Sequence, residues 1–187
     1  MINSFWKKEK VPQDLKTSVL RPFLKDKNES EHDPGNYRPI SLLNTFFKLY
    51  EALIYSRLED KLEKLSIFQT AYRHNKSTSD NLIILQELFF EYRFNKVGPR
   101  GGRKTLALYF CFLDLIKAFD KVPREILFKK LYKFGIRGKL FRVIRDMYTN
   151  NIAKVLIDNR YSREFKVESG VLQGSILGPT LFYHFYK

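Results

Sequence analysis

The stretch TLALYFCFLDLIKAFDKVP, Thr105 to Pro123, decides how the rest of the chain is read. Its first part is a continuous apolar run, rich in aromatics and without polar alternation, which predicts a central strand covered on one or both faces. The run closes on Asp114. A carboxylate where a buried strand emerges is well placed to ligate a metal, because the strand fixes it while its end meets solvent. Two-metal phosphoryl transfer needs carboxylates anchored in that way. On spacing alone Asp114 is equally an ordinary strand-terminating or capping residue.

Working outward, Pro123 predicts the start of a helix that runs to Phe134 and is ended by Gly135, and GKLFRVIRDMY (138–148) predicts another short helix. IAKVLIDNRYSREFKV (152–167) reads as a hairpin of two short strands around Asp158-Asn159. On the N-terminal side, Phe46, Tyr50, Leu53, Ile54, Leu58, Leu62 and Leu65 recur at helical spacing and predict a helix over Thr45–Leu65. STSD (77–80) predicts the cap of a second helix, with Leu82, Leu85, Leu88, Phe89 and Tyr92 on its buried side. VGPRGGRK (97–104) reads as a turn, a hinge or a flexible tip. Helices, strand, helices and hairpin in that order make an α+β chain.

Composition narrows the function. Of 187 residues, 44% are apolar and 16% aromatic, enough to build a packed core. Lys and Arg number 34 against 20 acidic residues, a net charge of +14, which points to a polyanionic partner such as nucleic acid. The excess is uneven: Lys121 to Lys166 holds 13 basic residues and 4 acidic ones. A solvated or membrane-facing basic surface is the other reading of that charge. Cys111 is the one cysteine, which excludes an internal disulfide framework and a cysteine-based zinc site and fits a reducing, intracellular setting in cytoplasm or nucleus. His32, His74 and His184 share no ligand spacing. The longest apolar run, Leu106 to Leu113, is far short of the ~20 residues a membrane span needs, and the N-terminus has no secretory core.

Four segments together are more specific than any one of them. NYRPISLLN (36–44), FQTAYRHNKSTSDNLI (68–83), FLDLIKAFDKVP (112–123) and GVLQGSILGPTLF (170–182) resemble, in order and spacing, the reverse transcriptases of non-LTR (LINE-type) retrotransposons. The resemblance covers nearly the whole chain. It implies a right-hand polymerase fold with fingers over 16–104 and an incomplete palm over 105–187, preceded by a basic extension over 1–15. It also implies an RNA template, a DNA primer and deoxynucleoside triphosphates as partners, and Mg²⁺ as cofactor.

The resemblance further implies roles for single residues. Asp114 matches the aspartate that ligates both catalytic Mg²⁺ ions, and the carbonyl of Leu115 matches the backbone group that assists it. Phe119 matches the aromatic that underlies the sugar of the incoming nucleotide and excludes a 2′-hydroxyl; a bulky apolar ring can do so sterically and by desolvation, although Phe119 also suits a core. Arg38 matches a fingers arginine that grips the triphosphate, a task suited to a bidentate, permanently charged guanidinium, and Lys25 is a candidate for the same basic wall. Gln173 and Gly174 match the pair that contacts the incoming nucleotide, glycine allowing close backbone approach. Arg73 is a candidate contact to the template backbone or a structural salt bridge; Ala71 stands where the family usually has Gly before it. Gly178 stands where the family most often has Ser, and Ile116 where it has a small polar residue.

In the family the remaining catalytic carboxylates form an Asp-Asp pair on a hairpin beyond the Gln-Gly motif. No adjacent Asp pair occurs in this sequence. A single ligating side chain does not hold two metals, so the expectation is a polymerase domain cut before that hairpin and inactive by itself. A non-catalytic nucleic-acid-binding remnant of the same fold is the alternative, and a maturase-like splicing factor a third reading that NYRPISLL argues against.

Overall fold

The computed structural model describes residues 2–59, 61, 66, 68–73, 75–94 and 108–186. The chain divides into two compact units, one of Met1–Glu63 with Lys117–Lys187 and one of Lys64–Ile116. Its content is mixed α and β.

In the first unit, β1 (Thr17–Leu24) and β2 (Tyr37–Leu42) pair antiparallel, and β1 pairs in parallel with β3 (Asn151–Ile157) through Thr17–Leu20. The prolines set these limits. Pro22 lies directly opposite Pro39. Neither has an N–H, so both sit where no ladder bond is asked of them, and Pro22 falls just beyond the last residue of β1 that pairs with β3. Asp158 and Asn159 both take positive φ, 46° and 61°, the geometry of a two-residue hairpin turn between β3 and β4 (Arg160–Tyr161). The expected second hairpin strand is divided: β4 pairs with the end of β3, and β5 (Phe165–Val167) pairs with its beginning. Ser162, between them, accepts the Val155 N–H at its Oγ at 2.9 Å and donates its own N–H to the Val155 carbonyl at 2.9 Å, a side chain standing in for one rung.

The helices build the hydrophobic core of this unit. α1 (Ile2–Lys8) contributes Phe5, α2 (Thr45–Glu59) contributes Phe47, Tyr50, Ile54 and Leu58, α3 belongs to the other unit, α4 (Arg124–Lys133) contributes Leu127 and Leu131, and α5 (Gly138–Met147) contributes Val143, Ile144 and Met147. α6 (Gly178–Tyr186) adds Leu181. Pro123 is the N-cap of α4, and Gly135 ends it with φ of 86°, as its sequence predicts. The helix at Thr45 begins as expected but ends at Glu59; residues 60 and 62–65 lie outside the described residues. Its buried face is turned slightly from the predicted one: Phe46 and Leu53 are exposed, and Phe47 and Glu51 are inside.

Two expectations fail in the second unit. α3 (Thr78–Phe94) starts at the predicted cap, where Asp80 Oδ2 accepts the Ser77 N–H at 2.9 Å. Its predicted buried side is not buried: Leu82, Leu88 and Phe89 are exposed, and Leu85 and Tyr92 are half-buried. Ile83, Ile84 and Phe90 are exposed as well, so the apolar residues run around the helix and form no single core-facing stripe. The predicted central strand is also absent where it can be followed. Residues 105–107 lie outside the described residues, as do 97–104, and 108–115 has no regular structure. Tyr109, Phe112 and Leu113 are exposed. An apolar strand of this kind is held by neighbours on its edges and faces, and no described strand pairs with it. Among the described residues no helix is long and apolar enough to cross a membrane.

Candidate nucleotide site

The GVLQGSILGP segment closes on three parts of the first unit. At its start, Gly170 takes φ of 82°, and a Cβ there would lie 2.9 Å from the Asp120 Cα and from the carbonyls of Asp120 and Phe119. Two backbone bonds accompany that approach, Gly170 N–H to Val122 at 2.8 Å and Val171 N–H to Phe119 at 2.9 Å. Arg124, buried in the first turn of α4, donates to the carbonyls of Gly170, Val167 and Tyr148 and to Asn151 Oδ1, at 2.6 to 3.0 Å. A cation at a helix start opposes the helix dipole; here four acceptors from three segments hold it, and its Nη2 is buried without a described partner. Burial lowers its pKa from the ordinary value.

At its centre the segment meets the edge of β2. In the register set by Pro22 and Pro39, Ser41 turns its N–H away from β1. That N–H donates to the Gln173 carbonyl at 3.0 Å. Gly174, φ 98°, brings its backbone so near that a Cβ would sit 2.9 Å from the Ser41 carbonyl oxygen. The Gln173 amide donates from Nε2 to Asp120 Oδ1 at 3.1 Å. A carboxylate only accepts, so the contact fixes which end of the amide faces Asp120.

At its end the segment is held by Glu51, which is fully buried on α2. Ser175 Oγ donates to Oε1 at 2.5 Å and the Ile176 N–H to Oε2 at 3.1 Å. Ser175 Oγ also accepts the Gly178 N–H at 3.0 Å and lies 3.3 Å from the Tyr148 hydroxyl. Burial pushes the Glu51 carboxyl up to about 7, against the lowering effect of these two bonds and of Lys48. Burial raises the Tyr148 hydroxyl too, with Glu51 adding to it. Gly178 is fixed sterically: a Cβ would be 2.9 Å from the Leu172 carbonyl.

The residues expected from the sequence fall into two sets. Arg38 lies on the exposed face of β2, with Ile40 and Leu42, three residues or roughly 10 Å along the strand from Ser41. Lys25 follows β1 and donates from Nζ to the Gly35 carbonyl at 2.8 Å, so its ammonium is engaged in its own loop. Phe119 is half-buried and stacks on Phe182, centroids 4.5 Å apart and planes at 7°. Arg38, Phe119, Gln173 and Gly174 are therefore all on segments that these contacts tie together. Asp114, Leu115 and Arg73 belong to the second unit. Asp114 and Leu115 are exposed in the irregular 108–115 segment, not at a strand end as predicted. Arg73 donates from Nη1 to the carbonyls of Ser66 and Gln69, at 3.2 and 3.3 Å, bracing its own loop.

Among the described residues no group of three or more His, Cys, Asp and Glu side chains is gathered as a metal would require. One exposed carboxylate with one backbone carbonyl does not make a two-ion magnesium site.

Three structural residues are not apparent from motif reading. Glu51 is signalled by an acid falling within the buried 47, 50, 54 and 58 series; Arg124 by a cation directly after a helix-opening proline; and Asp120, in the turn before Pro123, takes the Gln173 amide on its carboxylate, a contact that no local pattern signals.

Comparison with known proteins gives the family. Residues 24–187 match the family described as reverse transcriptase (RNA-dependent DNA polymerase). Similar relatives include the probable RNA-directed DNA polymerase from transposon BS of Drosophila melanogaster, 28% identical over 96% of this chain and 19% of the relative. The RNA-directed DNA polymerase from mobile element jockey of Drosophila funebris is 29% identical over 97% of this chain and 19% of its own. The retrovirus-related Pol polyprotein from type-1 retrotransposable element R2 of Bradysia coprophila is 26% identical over 95% and 19%. The chain thus spans about a fifth of the length of these curated relatives. On the extent of the family match, this chain belongs to the reverse transcriptase (RNA-dependent DNA polymerase) family.

Proposed function

We propose that this chain is the nucleotide-positioning part of an RNA-directed DNA polymerase of a non-LTR retrotransposon. One observation carries the reading: the Gln173-Gly174 segment is clasped both to the β2 edge that bears Arg38 and to the turn that bears Phe119 and Asp120. Three chemistries on one compact unit support it: a guanidinium suited to phosphate, an aromatic ring suited to a sugar, and an amide suited to base or sugar. In this reading Arg38 and Lys25 meet the triphosphate, Phe119 excludes a 2′-hydroxyl, and Gln173 and Gly174 seat the nucleotide. Arg73 and the basic 121–166 half serve the RNA template and DNA primer. Residues 16–104 correspond to fingers and 105–187 to part of a palm, with 1–15 a basic extension, and the setting is intracellular, where RNA templates are.

Asp114 and the Leu115 carbonyl match the positions where the family ligates Mg²⁺, and by themselves they do not complete that site. With no adjacent Asp pair in its sequence, the chain by itself binds but does not polymerise.

Fluorescence titration with a deoxynucleoside triphosphate in the presence of an RNA–DNA hybrid tests this. Binding should be weakened about tenfold or more by Arg38→Ala and by Gln173→Ala. Binding indifferent to both would remove the basis for the site. Primer extension by the chain alone, abolished by Asp114→Ala, would show that one carboxylate motif suffices.

A further inference from the structure

We infer that Glu51 is a positioning residue for the nucleotide site, holding the Gln173-Gly174 segment at a fixed distance and rotation from the strand that carries Arg38. The inference rests on the proposed function of that segment and adds to it a residue outside the family motifs read from the sequence.

The chemistry of Glu51 is unusual for a core position. Its carboxyl sits on the apolar face of α2, fully buried, and no ion pair with it is formed among the described residues. Burying an acid without a cation is unfavourable. The groups that face it are Ser175 and Ile176 from the segment, Lys48 from its own helix, and Tyr148 from the end of α5. Both hydrogen bonds to its oxygens come from consecutive residues of the segment, beginning two residues beyond Gln173. Two acceptors on a rigid fork fix an orientation as well as a distance, which a single bond does not.

The surrounding wiring is complete. Ser175 Oγ has one hydrogen, given to Glu51, and two lone pairs; the Gly178 N–H fills one, and the Tyr148 hydroxyl can fill the other. Each of these two hydroxyls therefore has a defined role, and removing the carboxyl takes the acceptor from the buried Ser175 hydroxyl and from the part-buried Ile176 N–H. The upstream half is held separately, by Ser41 on the Gln173 carbonyl and Asp120 on its amide. Ser41 and Glu51 stand on one continuous stretch with Arg38, the end of β2 running into α2. The segment that would seat the nucleotide and the strand that would grip its phosphates are thereby fixed to the same piece of chain.

Amide hydrogen exchange and nucleotide binding on the whole chain test this together. Glu51→Ala should speed exchange at residues 173–178 about tenfold or more while α4 and α5 keep their protection, and should weaken deoxynucleoside triphosphate binding about tenfold. Glu51→Gln retains an acceptor for Ile176 and should restore both. Unchanged exchange at 173–178 in Glu51→Ala would overturn the hold. Weakened binding in Gln173→Ala with normal binding in Glu51→Ala would overturn the positioning role and leave the site standing. Normal binding in Gln173→Ala would overturn the site itself, and the positioning role with it, leaving the exchange result to report on the hold. If Glu51→Ala does not fold, Ser175→Ala, which removes one of the two donors, gives the same two readouts: faster exchange and weaker binding support the proposal, and no change in either overturns it.

Discussion

Gly170 and Gly135 have nearly the same φ, 82° and 86°, and quite different surroundings. A Cβ at Gly135 would meet nothing within 4 Å, whereas at Gly170 it would press on the backbone of Phe119 and Asp120 at 2.9 Å. Alanine at position 135 should therefore destabilise the chain by about 1 kcal/mol, the conformational part alone. Alanine at position 170 adds steric displacement of backbone, for a total of about 2 to 4 kcal/mol. Urea unfolding of the two variants separates the effects, and equal losses would mean that the close approach is relieved cheaply. Arg124 gives a second test at this scale. Arg124→Met removes the donor to three buried acceptors and one part-buried one and should cost about 3 kcal/mol or more, with Arg124→Lys recovering only part, because an ammonium cannot reproduce the fork. A methionine variant as stable as the parent would show that the buried cation is dispensable. The glycines and the arginine are visible in the sequence, but which glycine is sterically locked is not.

At the scale of elements, α2 shows how far periodicity reaches. The apolar spacing from Thr45 identifies the helix and half of its buried face, including Tyr50, Ile54 and Leu58. It does not show that Glu51 shares that face, because a side chain's hydropathy argues for solvent unless a partner is known. The partner comes from Ser175 and Ile176, 124 and 125 residues away. A pH prediction follows. The Glu51 carboxyl titrates near 7 in the folded chain against an ordinary value of 4.5, so the folded state retains a proton that the unfolded state has released between those pH values. Stability from this group is therefore full below about pH 4.5 and falls as pH rises towards 7, by roughly 3 kcal/mol. Glu51→Gln should lack that fall, gaining on the parent between about pH 4.5 and 7.5 in denaturant melts; parallel profiles would refute it. The predicted buried side of α3 and the strand predicted through 108–115 fail for a related reason. Both are apolar on all sides, a pattern that states a need for cover without naming what supplies it.

For the whole molecule, charge is the property with the clearest consequence. A net charge of +14, with most of the excess between Lys121 and Lys166, predicts salt-sensitive binding of an RNA–DNA hybrid. Part of that charge lines a groove of about 530 Å³ along α4 and α5, with Lys129, Lys130, Lys133 and Arg145 beside Tyr132 and Phe141. If Lys129 and Lys133 each meet a phosphate, replacing both by alanine should flatten the plot of log affinity against log salt by about 1.4 to 1.8. An unchanged slope would place the contact surface elsewhere.

The sequence by itself determined the family and the local elements: four ordered motifs, the capped helices at Ser77 and Pro123, and the turn at Asp158-Asn159. These rest on short-range patterns, where turn chemistry, capping and side-chain spacing act within a few residues. Only the tertiary structure decided that β1 pairs in parallel with β3, that the Gln173 segment closes the edge of β2, and that Glu51 is a buried anchor instead of a surface acid. Each depends on groups more than 120 residues apart, and burial and hydrogen-bond satisfaction at such separations are fixed by packing, which local sequence does not encode.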